Sequence, residues 1–128
     1  MIEGDLITYL YSGAAVTALV GQRVTPLRMD QGADLPAITV QRIDGPRVRS
    51  LTGPSGLAHP RYQIDCWGST YASVKAVATA VRQRLDGYRG LMGSTTVGGV
   101  SLESDQDDFE PDTGLYRVSM DFIIWHKE

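Results

Sequence analysis

The 128-residue sequence contains one cysteine, Cys66, two histidines, His59 and His126, and two lysines, Lys75 and Lys127, against ten arginines. A single cysteine excludes an internal disulfide, so a reducing compartment is the simplest setting for folding. Two isolated histidines with no ligand-pair spacing exclude a histidine-built metal centre, and no metal is expected. No apolar run approaches the ~18 residues of a membrane span. The opening "MIEGDLITYLYSG" has no basic segment of the kind that starts a signal peptide. The chain is expected to be soluble and to have no membrane partner. A formal charge of −3 excludes a generally basic, nucleic-acid-attracting surface. The preference for arginine over lysine suits bidentate ion pairs at interfaces, and is equally what GC-rich coding produces. The 42% hydrophobic and 21% charged content is ordinary for a globular protein. One domain, residues 1–128, is expected, with a core that needs no cross-link.

Periodicity supplies the elements. Ile2, Leu6, Tyr9 and Leu10 recur at helical spacing, Gly13 breaks the pattern, and "AAVTALVG" resumes it up to a capping Gly21. "QRVTPLRM" is a short strand that Pro26 places at a sheet edge. "LPAITVQRID" (35–44) and "RYQIDCW" (61–67) alternate as strands, with Tyr62, Ile64 and Cys66 on one face of the second. Ser69 or Thr70 caps a helix whose stripe is Val74, Val77, Ala78, Val81 and Leu85, stopped by Gly87. After a glycine-rich turn, residues 96–105 form a strand with Val100 and Leu102 on one face. "GLYRVSMDFIIWHKE" forms the strongest strand, with Tyr116, Val118, Met120, Phe122 and Ile124 aligned. The fold class is α+β: a mainly antiparallel sheet of four to five strands with helices on one face, in the order α-α-β-β-β-α-β-β.

Cys66, beside Asp65 and downstream of His59, is the one arrangement that suggests a nucleophile. Strand alternation defeats it, because Asp65 points to the face opposite Cys66. A packed core cysteine is the expectation. "GPSG" lacks the Lys–Ser/Thr end and following helix of a phosphate loop, and "VGGVS" has no dinucleotide-binding context. No catalytic residue and no cofactor are expected, and the chain is read as a non-enzyme.

Two segments of opposite charge remain. Residues 44–61 carry Arg47, Arg49 and Arg61 in a long structureless loop, read either as a partner-facing arm or as merely flexible. "ESDQDDFEPDTG" carries Glu103, Asp105, Asp107, Asp108, Glu110 and Asp112 without the spacing of a calcium loop. It is read as a solvated hairpin loop or as an acidic interface element. Opposite charges on two loops suit head-to-tail contacts between identical subunits. Arg47, Arg49, Arg61, Asp105, Asp107, Asp108, Glu110 and Asp112 are therefore the candidate interface residues.

The order "LPAITVQRI", then "SLTGPSGLAHPRYQIDCWGSTYASVKAVATAVRQRLDG", then "LESDQDDFEPDTGLYRVSMDFIIWHKE" resembles the tail-completion (tail-terminator, tail-to-head joining) family of long-tailed bacteriophages and related prophage or gene-transfer particles. The resemblance covers nearly the whole chain. It implies a subunit, assembled in the host cytoplasm and resident in the virion neck, that forms a ring with itself, of six copies. That ring would sit on the tail tube protein, end tail polymerisation, and offer a face to a head-neck connector protein. DNA would pass through its lumen without sequence-specific binding; at −3 per subunit the ring carries about 6 × (−3) = −18, a charge that does not hold phosphate. The alternative is a head-side neck protein, a head-closure or adaptor component.

Overall fold

The computed structural model describes residues 2–29, 32 and 34–128. Helix α1 (Ile2–Ser12) and helix α2 (Ala14–Val20) are separated at Gly13, as the break in periodicity predicts. The Gly13 backbone faces the Arg84 side chain, and a Cβ there would sit 2.7 Å from the Arg84 Nε. Gly21 ends α2 with a positive φ of 59°, its N–H donating to the Thr17 carbonyl at 2.8 Å. Strand β1 (Val24–Pro26) follows and pairs in parallel with β2 (Ala37–Asp44), so Pro26 does lie on an edge strand.

Next come β3 (Arg47–Ser50), β4 (Gly53–Ala58) and β5 (Arg61–Gly68). Helix α3 (Tyr71–Leu85) starts at Thr70, whose hydroxyl oxygen accepts from the Ser73 N–H at 3.2 Å. The chain closes with β6 (Gly90–Met92), β7 (Thr95–Glu110) and β8 (Leu115–Lys127). The order is α-α-β-β-β-β-β-α-β-β-β. Among the described residues, this corrects the expected four to five strands to eight in a curled, mostly antiparallel sheet. Two segments account for the difference. The expected loop 44–61 is a β3–β4 hairpin, and the glycine-rich turn contains β6, whose Met92 is fully buried.

Strand β8 organises the sheet. One edge pairs with β7 along nearly its whole length. The other edge is shared in tandem: β5 pairs with Tyr116–Ile123, and β4 with His126 and Lys127. The register follows alternation, since Tyr62↔Phe122, Ile64↔Met120 and Cys66↔Val118 stack six fully or nearly fully buried side chains on one face. Helix α3 packs on β5, β7 and β8 over that face, and α1 and α2 pack against α3. The predicted stripe Val74, Val77, Ala78, Val81 and Leu85 is buried throughout, and Ala80 joins it. Each large apolar side chain so buried contributes about 1.5–3 kcal/mol.

Gly68 permits the close approach of strand to helix, because a Cβ there would fall 2.8 Å from the Val74 Cγ1. The opposite face of the sheet carries polar side chains that bond to one another. Gln63 Nε2 donates to both oxygens of the buried Asp65, at 3.0 and 3.1 Å, and the Trp67 indole N–H donates to the Thr39 hydroxyl at 3.0 Å.

Candidate subunit interface

The β3–β4 hairpin is an arm. Strand β3 is exposed along its whole length, and β4 meets the body through Leu57 and Ala58 against the end of β8 and through the Gly56 carbonyl, which accepts from the Glu128 N–H at 2.8 Å. Nothing in the arm is half-buried on an alternating pattern, which explains why residues 44–61 read as loop. Its strands are defined by the backbone ladder, Arg47↔Ala58 to Ser50↔Gly53, with a shift after Val48. Gly53 and Gly56, at φ 130° and 79°, supply the conformations the ladder needs.

Arg47 donates from Nε and Nη2 to the two carboxylate oxygens of Glu128, both at 3.0 Å. This fork raises the Arg47 pKa and holds the Glu128 carboxyl below its ordinary range. Arg49, two residues further along β3, has no hydrogen-bond or carboxylate partner among the described residues. Arg61 lies at the start of β5, 4.0 Å from Asp121, and belongs to the body rather than the arm.

The acidic segment is not a loop. Strand β7 runs to Glu110, and only residues 111–114 turn. A register shift between Leu102 and Ser104 then places Asp105, Asp107 and Phe109 on the helix side and Asp108 on the polar side. Asp107 accepts from the Tyr71 hydroxyl and, at 3.3 Å, from Lys75 Nζ on the first turn of α3. The Tyr71 hydroxyl first, and the Lys75 ammonium behind it, hold the Asp107 carboxyl below its usual range. Asp108 is lowered first by the Phe109 N–H at 2.8 Å and then by the Arg117 guanidinium. Arg117 also reaches Glu110 at 3.9 Å, so one guanidinium serves two carboxylates while lying over the Trp67 ring. Asp105 and Asp112 have no cation partner among the described residues. Six carboxylates between Glu103 and Asp112 therefore meet two cations, Lys75 and Arg117, and the segment stays negative.

The arm and the acidic segment occupy opposite ends of one strand. Leu57 pairs with Lys127 and Phe109 with Tyr116. Those positions are 11 residues apart on β8, about 35 Å at ~3.3 Å per residue. The two charged segments cannot neutralise each other within one molecule.

Cys66 is fully buried beside Val118 and Ile38. Burial, with a smaller push from the Asp65 charge, drives its thiol pKa well above the ordinary value, the reverse of what a nucleophile needs. His59 stacks on Trp125 at 6.5 Å, seven residues from Cys66, or about 20 Å along the strand.

Several participants escaped the sequence reading. Glu128 and Arg117 act as ion-pair partners of the candidate residues, and only register reveals them. Val48, Leu57 and Trp125 form an exposed apolar patch on the polar side of the sheet. Its sequence signal is the pair Ile123 and Trp125 on the outward side of β8, after the polar Arg117, Ser119 and Asp121.

No curated protein matches this chain by sequence. Among solved structures, a chain from the virion of a native gene transfer agent (GTA) particle superposes with a TM-score of 0.83 at 18% identity, over 99% of this chain and 95% of that one. That likeness establishes the fold. The model of the tail completion protein gp17 family matches residues 4–127, essentially the whole chain. The chain belongs to the tail completion protein gp17 family, and is a structural protein of the virion's tail and neck region.

Proposed function

We propose that this protein forms a closed ring at the head-proximal end of a tail tube, where it terminates tail polymerisation and joins the tail to the head. Family membership over residues 4–127 supports the setting. The observation that carries the ring is the placement of a base-only arm and an acid-rich strand end at opposite ends of β8. Such a subunit satisfies its surface head to tail, and repetition through a rotation closes a ring. Six copies are the expected number. The partners are further copies of the chain, the tail tube protein on one side and a head-neck connector protein on the other. DNA passes through the lumen unbound, and the net negative charge favours that. The buried Cys66 and the continuous core, which supports reading the chain as one domain, suit a structural part rather than a catalyst. Cys66→Ala is expected to cost modest stability and leave assembly intact.

The deciding experiment is mass in solution by light scattering across a concentration series, followed by recruitment to purified tail tubes. A mass near six subunits, or capping of tubes that stops their growth, is the expected result. A stable dimer that ignores tubes sinks the reading. Binding to a head connector without tubes would assign the protein to the head side of the neck instead.

A further inference from the structure

At the arm end of the sheet, Val48, Leu57, Ala58, Gly98 and Trp125 enclose an apolar socket of about 250 Å³. It is smaller than ordinary small-molecule sites, ~300–1,000 Å³, and matches a single large side chain. Two glycines keep it open. A Cβ at Gly99 would stand 4.0 Å from the Trp125 ring, and one at Gly98 would stand 3.7 Å from its carbonyl oxygen. A side chain at Gly99 would cover part of the exposed indole, and one at Gly98 would crowd the Trp125 backbone at the socket wall. Lys127 lines the socket, and an adjoining groove is lined by Arg49 and by the Arg47–Glu128 pair, which leaves Arg49 and Lys127 as its free cations among the described residues.

The acidic end of β7 carries the complement. Phe109 is exposed there, tilted against Tyr116 at 4.8 Å between centroids, on the same face of β7 as Asp105 and Asp107. Residues 45–61 contain no acid, and residues 103–112 contain no base. An aromatic knob with a carboxylate rim and an apolar socket with a cationic rim lie about 35 Å apart on one strand, so a knob can reach only the socket of another molecule. We infer that Phe109 of one subunit seats in the Val48–Leu57–Trp125 socket of the next copy, with Asp105 and Asp112, which have no cation partner among the described residues, facing Arg49 and Lys127. An anchored aromatic inside a charged rim is the usual distribution of binding energy in an interface. Because knob and socket are different surfaces, the contact is heterologous and directional. This inference rests on the proposed ring and names its seam.

The test uses two full-length variants, Phe109→Ser and Leu57→Glu, each verified as folded by circular dichroism. Each alone is expected to raise the concentration for half-assembly by tenfold or more. Mixed, they retain one good knob and one good socket, and should stop at a heterodimer that grows no further. A second measurement pairs Phe109→Cys with Leu57→Cys; oxidation should give a heterodisulfide, while the buried Cys66 stays reduced. Unimpaired assembly by either variant alone overturns the seam and leaves the ring standing. So does a wild type that is monomeric at millimolar concentration, or socket variants that assemble normally and lose only tube recruitment, which would give the socket to another tail protein. Knob-to-socket dimers from a wild type that never reaches six would keep the seam and remove the ring.

Discussion

Strand β8 contains two regions built on different terms. From Val118 to Ile124 every second side chain is sealed beneath α3, with β5 on one edge and β7 on the other. From Trp125 onward β5 is replaced by the arm, and the indole that follows the alternation outward stays 42% exposed, with only the His59 ring stacked on it. The first region is a closed core whose residues answer to packing. The second keeps the same hydrogen-bonded ladder but leaves apolar surface and charge unspent, as an assembly surface must.

The comparison is sharpest by truncation. Phe122→Ala, in the centre of the sealed half, should cost about 3–5 kcal/mol in chemical denaturation, through lost transfer and an unfilled cavity. Trp125→Ala, three residues along, should change monomer stability by no more than about 0.5 kcal/mol while weakening self-association. Equal losses in the two variants would erase the distinction between the halves.

Gly68→Ala comes next. The new methyl meets Val74 Cγ1 at 2.8 Å and Ser73 Oγ at 2.6 Å, where α3 turns back over β5. Overpacking of this kind costs about 1–3 kcal/mol, and thermal melting should register it. Thr70→Ala removes the side-chain acceptor of the same helix start and should cost about 1 kcal/mol. Neither change touches the arm or the acidic end, so solution mass at concentrations where both variants are folded should match wild type.

Legibility in the sequence followed burial. Where one face is sealed, as in Tyr62–Ile64–Cys66 or Val74–Val77–Val81–Leu85, the period of the apolar residues is the fold itself, and those elements were readable to within a residue or two. The arm has no sealed face, so nothing in Arg47–Ser50 alternates, and its glycines look like loop. β6 is too short for any period, and Met92 alone cannot announce it. The acidic segment misled for a related reason. Asp105, Asp107 and Asp108 belong to a strand because β8 pairs with them, not because their own side chains favour one. The candidate charges were visible as composition, but their partners Glu128 and Arg117 depend on three-dimensional register. The socket needed the arm, both glycines and Trp125 placed together, and no local pattern contains all of them.

The smallest expected effect separates the charged ends from the core by pH. Asp107, Asp108 and Glu128 all have carboxyls held below their ordinary values, by the Tyr71 hydroxyl and Lys75, by the Phe109 N–H and Arg117, and by Arg47 respectively. A carboxyl that is more acidic folded than unfolded adds stability above its unfolded pKa, and loses it as pH falls through the folded value. The melting temperature should therefore hold steady from pH 7 down to about 5 and decline below about 4, modestly, because these groups lie in solvent. Asp107→Asn should flatten part of that decline, and added salt should flatten more, since exposed pairs are screened over ~8–10 Å. Phe122→Ala should shift the whole curve downward without changing its slope, because no titrating group touches that site's contribution. Self-association should weaken across the same acidic window, as the carboxylates facing the arm lose their charge. If association were instead indifferent to pH between 5 and 3, the carboxylates would be solvated ornaments of β7, and Phe109 with its socket would have to hold the seam alone.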